Sequence, residues 1–200
     1  MIAQLLQDSF RRPAVSKEAT AACRLSGNNK QINDWTLEHL NIQPYQHIME
    51  IGYGSGNILQ EVARKLKVGF LAGLDPSPVL YRQAYRKNRR FIEQQLLQLH
   101  IGALPELSYP AHYFHTIYGV NAHCDWKEPS IEFMRLAAML KSRGRLVMVF
   151  QPRVARNQEA LQQAAEKIQA DYAEAGLTEF RIEYRSTYPN TYLAAIGIKA

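Results

Sequence analysis

The chain contains neither a long apolar run nor a usable cysteine pattern. No stretch approaches the ~20 apolar residues that a bilayer-spanning helix requires. The opening residues, MIAQLLQDSFRRP, lack a basic start followed by an apolar core, so they do not read as a secretory signal. Cys23 and Cys124 stand far apart and form no metal-ligand spacing. They are expected to be reduced thiols in a cytoplasmic protein, and no metal site is expected. There is no internal repeat and no low-complexity tract. Acidic residues are in the minority: 18 Asp and Glu face 24 Lys and Arg, for a net charge of +6. Much of the excess falls between Arg82 and Arg90, in RQAYRKNRR. Leu80, Ala84, Phe91 and Leu96 supply a stripe to bury between those charges, so the stretch reads as a solvated helix face. No aromatic-basic RNA motif accompanies it, and nucleic acid is not an expected partner.

Length and alternation are what the chain does have. Two hundred residues at 46% hydrophobic content suit one domain that needs no disulfide or metal staple. The first ~27 residues mix helix and loop, broken by Pro13 and Gly27. Ile32, Trp35, Leu37 and Leu40 give Gln31–Leu40 the spacing of a short amphipathic helix. His47–Ile51 reads as a buried strand, Ile58–Leu66 as a helix and Val68–Leu74 as a second strand. A helix is expected after Asp75-Pro76-Ser77-Pro78, running to about Gln98. Leu99–Ile101 and Tyr113–Val120 read as the third and fourth strands, and Ile131–Leu140 as a helix. Arg145–Phe150 is a fifth strand behind a turn at Ser142-Arg143-Gly144. A long helix over Asn157–Ala175 ends at Gly176. Phe180–Arg185 and Tyr192–Ile198, joined through Pro189-Asn190, are expected to pair antiparallel. Such alternation predicts an α/β, doubly wound and mostly parallel sheet. Ligands of such sheets bind beyond the carboxyl ends of the strands.

The segment EIGYGSGN, from Glu50 to Asn57, stands at that rim. Gly52, Gly54 and Gly56 let the backbone turn sharply and approach a ligand closely. The helix that follows points its free N–H groups at the same space. A dinucleotide fingerprint spaces its glycines G-x-G-x-x-G, whereas here the third comes one residue early. Glu50 would repel a pyrophosphate and attract an ammonium group. Asp75 ends the second strand ~20 residues further on, the spacing at which a carboxylate receives ribose hydroxyls. Ser77 is free to cap the next helix, although Asp75 is itself a common cap residue.

These segments resemble, in order, the motifs of class I S-adenosylmethionine (SAM)-dependent methyltransferases, and among them the methyltransferase type 11 group of bacteria. EIGYGSGN is similar to their first motif and GLDPSP to their second. GALPELSYPAHYFHTIYGVNAHCDWKEP and AAMLKSRGRLVMVFQPR are similar to the segments around their third to fifth strands. The resemblance implies a Rossmann-like, seven-stranded sheet, mostly parallel with a C-terminal antiparallel hairpin strand. It implies an N-terminal helical lid over residues 1–43 and a SAM-binding domain over 44–200. It implies SAM as cofactor, S-adenosylhomocysteine as product and a small-molecule methyl acceptor.

The residues implied to bind the cofactor are Glu50, Gly52, Tyr53, Gly54, Gly56, Asp75, Pro76, Ser77, Ala103, Leu104 and Asn121. Ala103 stands where the family often has an aspartate for the adenine amine, so recognition there falls to the backbone of Ala103 and Leu104. Asn121, His123, Asp125 and Trp126 follow the fourth strand and are candidates for substrate contact. His123 is the candidate general base, with packing as the competing role. Asn33 and Trp35 are candidates for the lid, with the core as the competing place for Trp35. Two other readings remain. A SAM- or S-adenosylhomocysteine-binding module without catalysis is motivated by Ala103 and by His115, which replaces a family aspartate. An NAD-type oxidoreductase is disfavoured by Glu50 and the early third glycine.

Overall fold

A computed structural model describes residues 30–151, 158–187 and 190–200. The expectations for the first 27 residues, and the Pro189 half of the last turn, lie outside them. The elements are α1 (Lys30–Leu40), β1 (His47–Ile51), α2 (Asn57–Lys65), β2 (Phe70–Asp75), α3 (Pro78–Glu93), β3 (Leu97–Ile101) and β4 (Phe114–Val120). They continue with α4 (Pro129–Met139), β5 (Leu140–Phe150), α5 (Gln158–Glu174), β6 (Leu177–Thr187) and β7 (Asn190–Lys199). The seven strands form one sheet in the order β3-β2-β1-β4-β5-β7-β6. The first five run parallel, β7 runs antiparallel to β5, and β6 pairs antiparallel with β7. The expected architecture is therefore present. No helix among the described residues is long and apolar enough to cross a membrane.

Alternation along the strands divides the core into two layers, because successive strand side chains point to opposite faces. Ile48, Leu71, Val147 and Val149 face α1, α2 and α3, while Met49, Ala72, Leu146 and Met148 face α4 and α5. Trp35 belongs to the first layer, 2% exposed, with its ring 6.3 Å from that of Tyr192. Its place is therefore in the core.

Several boundaries differ from expectation, and three of them have a clear backbone cause. The first is β2, which starts at Phe70 because the Lys67 and Val68 N–H groups turn away to the Pro44 carbonyl. The second is α3, which ends at Glu93 rather than Gln98. Gln95 takes a left-handed φ of 57°, and Leu97 then enters the sheet beside Leu71. Of the stripe expected on α3, only Ala84 is buried, with Asn88 beside it. The third is β5, which starts at Leu140. The Ser142-Arg143-Gly144 turn is a bulge within that strand, with Phe114 opposite Leu140 and Thr116 already opposite Arg145. A bulge accommodates extra residues by kinking one strand without ending it.

Candidate functional site

All five parallel strands present their carboxyl ends at one rim, and the loops after β1, β2, β3 and β4 meet there. The β1–α2 loop is closed by the Gly52 N–H donating to the Leu74 carbonyl at 2.7 Å and the Gly56 N–H donating to the Tyr53 carbonyl at 2.9 Å. Its three glycines all have left-handed φ, at 74°, 54° and 77°, and each meets different surroundings. A Cβ on Gly52 would press on the Ala122 side chain at 3.2 Å, and one on Gly56 would lie 2.9 Å from the Ala84 side chain of α3. A Cβ on Gly54 would meet nothing within 4 Å. Two glycines thus let elements pack, and the third faces open space.

Asp75 is buried at the end of β2 and organises this rim. One carboxylate oxygen accepts the Gly54 N–H at 3.0 Å and the other accepts the Ser77 N–H at 2.9 Å. Ser77 caps α3 as expected, its hydroxyl accepting the Leu80 N–H at 3.3 Å. With Ser77 as the cap, Asp75 is still engaged, since its carboxylate holds the glycine loop to the next turn. Pro76 lies exposed between them.

Glu50 lies beneath the loop, 2% exposed, on the face that packs against α2. Its Oε2 accepts the Tyr118 hydroxyl at 2.9 Å. Burial pushes its carboxyl up to about 8, and the nearby Asp75 charge adds to the rise against the lowering effect of the Tyr118 hydrogen bond. The group is thus mostly protonated at neutral pH. The Tyr53 ring is also buried, packed on Gly73, with its hydroxyl donating to the His100 carbonyl at 3.1 Å.

After β3, the Ala103 N–H donates to the Glu106 carboxylate at 3.2 Å, and Leu104 is buried in a short turn of helix. After β4, Asn121 takes a left-handed φ of 54° and joins the ends of two strands. Its N–H donates to the Val149 carbonyl, and its Oδ1 accepts the Gln151 N–H at 3.0 Å. His123 is 3% exposed, its ring 4.4 Å from that of Phe150 in an edge-on contact. Burial lowers its pKa to about 4, with a smaller contribution from Lys167.

Tyr118 and Glu106 were missed by the sequence reading. Tyr118 lies directly across from Glu50 in the β1–β4 register, a pairing invisible before the strands are aligned. Glu106 stands three residues after Ala103, where an acidic side chain can reach back to the cap N–H, but Ala103 has no acceptor to return the bond, so the pair carries only half of the usual capping signal. His115 is far from the glycine loop. It sits near the amino end of β4, where its ring accepts the His47 N–H and meets Lys141.

A family model described as a methyltransferase domain matches residues 48–144. The chain is 24% identical over 176 residues to an uncharacterized methyltransferase of Bacillus subtilis, YdaC, spanning 88% of this chain and 95% of that protein. Among solved structures, a SAM-dependent methyltransferase from Aquifex aeolicus superimposes with a TM-score of 0.68 at 11% identity, covering 90% of this chain and 98% of that one. Phosphoethanolamine N-methyltransferase 2 of Haemonchus contortus, in complex with phosphomonomethylethanolamine and S-adenosylhomocysteine, gives 0.71 at 13% identity over 97% of this chain and 60% of that one. At such identities the two structures speak for the fold alone. The matched domain spans the glycine loop, Asp75 and the β4 rim, and YdaC matches over almost its whole length. Together with the strand order, these matches support a class I SAM-dependent methyltransferase.

Proposed function

We propose that the chain transfers a methyl group from SAM to a small-molecule acceptor, and that the rim over β1, β2 and β4 holds the donor. Asp75 is the observation that carries this reading. It is a buried carboxylate at the end of β2, fastened to the one loop glycine that faces open space. That arrangement fits a ribose whose hydroxyls donate to a carboxylate, beside a backbone that a ligand can approach. The Glu50 carboxyl beneath the loop suits an ammonium, whose arrival would favour its charged form. Gly52, Tyr53, Gly54 and Gly56 shape the floor, with Tyr53 contributing its backbone because its ring is committed to the core. Pro76 and Ser77 flank the ribose side. Ala103 and Leu104 offer backbone groups to the adenine once the Glu106 carboxylate yields the Ala103 N–H. Asn121 holds the β4 rim in shape beside the methionine portion.

When bound, SAM supplies an activated methyl on a sulfonium, transferred by in-line displacement. The protein's share is chiefly to hold the acceptor at about 3 to 3.5 Å in line with that methyl. His123 is our candidate base. Its burial keeps the ring neutral, which is the proton-accepting form, and makes it a weaker base than an exposed imidazole.

Isothermal titration with SAM and with S-adenosylhomocysteine tests the reading. Both should bind, and Asp75→Ala should weaken each by about 10- to 100-fold, equivalent to ~1 to 3 kcal/mol. Absence of binding by either ligand to the folded protein would end the proposal.

A further inference from the structure

The opposite edge of the sheet, where the strands begin, carries a second feature that methyl transfer does not use. The ends of α2 and α3 and the turn between α2 and β2 enclose a cavity of about 770 Å³. Its apolar wall includes Leu66, Phe91 and Leu96, and its charged lining is Arg64, Lys67, Lys87 and Arg90, with no acidic residue. Arg64 shares its charge with Glu61, and Lys87 bonds the neutral Asn57 side chain. Lys67, Lys87 and Arg90 make no ion pair among the described residues. Like charges around a concavity repel one another and focus a positive field outward, which favours an anionic partner.

Past the cavity the edge stays free of acidic side chains. The segments that lead into the first four strands, 41–46, 66–69, 94–96 and 107–113, contain no Asp or Glu. The two most exposed large hydrophobic residues among those described, Val68 at 80% and Tyr45 at 59%, also stand here. Backbone bonds draw their turns together, since the Lys67 and Val68 N–H groups both donate to the Pro44 carbonyl, at 2.9 and 3.2 Å. An exposed aliphatic residue and an exposed tyrosine amid cations match a lipid interface, where amphipathic rings settle at headgroup level.

We propose that this edge is a docking surface for an anionic phospholipid bilayer. Val68 and Tyr45 enter the headgroup layer, and Lys67, Lys87 and Arg90 meet the lipid phosphates. Nucleic acid is the weaker fit, because Tyr45 alone of the residues named here offers an open ring for stacking, Val68 offers none and Phe91 is partly covered. The orientation leaves the glycine loop on the side away from the membrane. This inference is independent of which methyl donor or acceptor the rim binds.

Co-sedimentation with vesicles of phosphatidylcholine alone, and of phosphatidylcholine mixed with phosphatidylglycerol, tests it. The protein should pellet with the mixed vesicles only, and lose that binding near 1 M salt, where the screening length falls to ~3 Å. Neutralising two cations in Lys67→Gln/Arg90→Gln should lower the partition constant about 25-fold, since each surface cation contributes about fivefold. Val68→Ser should lower it several-fold without changing the charge. Circular dichroism melting of each variant confirms that it folds, and Lys67→Gln alone, about fivefold weaker, serves if the double variant does not. Equal binding to neutral vesicles would overturn the proposal, as would unchanged partition of the folded variants. So would capture of a short RNA, sensitive to Lys67→Gln/Arg90→Gln, by a protein that leaves both vesicle types in solution.

Discussion

Replacing Glu50 by glutamine removes a proton-binding site while keeping its size and its acceptor for the Tyr118 hydroxyl. Burial sets the folded carboxyl at about 8, against 4.5 for an exposed glutamate. The folded state therefore holds a proton that the unfolded chain gives up between those two values. Stability from this group is fully present below pH 4.5 and is lost as pH rises through 8. Each pH unit in that window corresponds to ~1.4 kcal/mol, so pH 5 to pH 8 removes roughly 3 kcal/mol from the wild type. The glutamine variant cannot lose it. His123 works in the opposite sense, because its neutral form is favoured in the fold and its contribution disappears as pH falls from 6.5 towards 4. The difference between variant and wild type cancels His123 and isolates Glu50. Urea unfolding of both proteins at pH 5, 6.5 and 8 should show Glu50→Gln gaining on the wild type by roughly 3 kcal/mol across the range. A difference that stays constant with pH would refute the claim that the carboxyl is protonated under the loop.

The glycine loop separates packing from binding. Gly56→Ala sets a Cβ 2.9 Å from Ala84 at a left-handed φ, and should cost roughly 2 to 4 kcal/mol in chemical unfolding. Gly54→Ala meets only backbone strain, about 1 kcal/mol, yet should reduce SAM affinity at least tenfold by titration calorimetry. Equal stability losses for the two would contradict the geometry. NMR titration of the His123 ring should show no protonation step between pH 5.5 and 8 and a midpoint about 4, so a midpoint near 6.5 would place it in solvent. SAM binding at pH 7 should release close to one proton, read from calorimetry in buffers of different ionisation enthalpy, and Glu50→Gln should abolish that release.

The glycine loop, Asp75 and the Ser77 cap were legible because each is a local pattern of a few residues with a direct backbone consequence. The antiparallel closing pair was legible for the same reason. The end of α3 was not, since the apolar spacing from Phe91 through Leu96 runs on into the spacing of β3. Only the left-handed turn at Gln95 divides them. The bulge in β5 has the sequence pattern of a turn before the strand, because Gly144 marks a sharp backbone change without saying whether pairing resumes on both sides. The Tyr118–Glu50 bond joins residues 68 positions apart and exists only once β1 and β4 lie in register.

Asp75 has no faithful isostere at its position. Both of its oxygens receive backbone N–H groups, one from the loop and one from the turn into α3. An asparagine has the same outline but would aim an amide donor at one of those donors, and a glutamate would carry the charge beyond both. The outline of the pocket and its negative charge are thus a single property of one side chain. A chain that altered the charge to receive a different ligand would also have to find another way of fastening the loop.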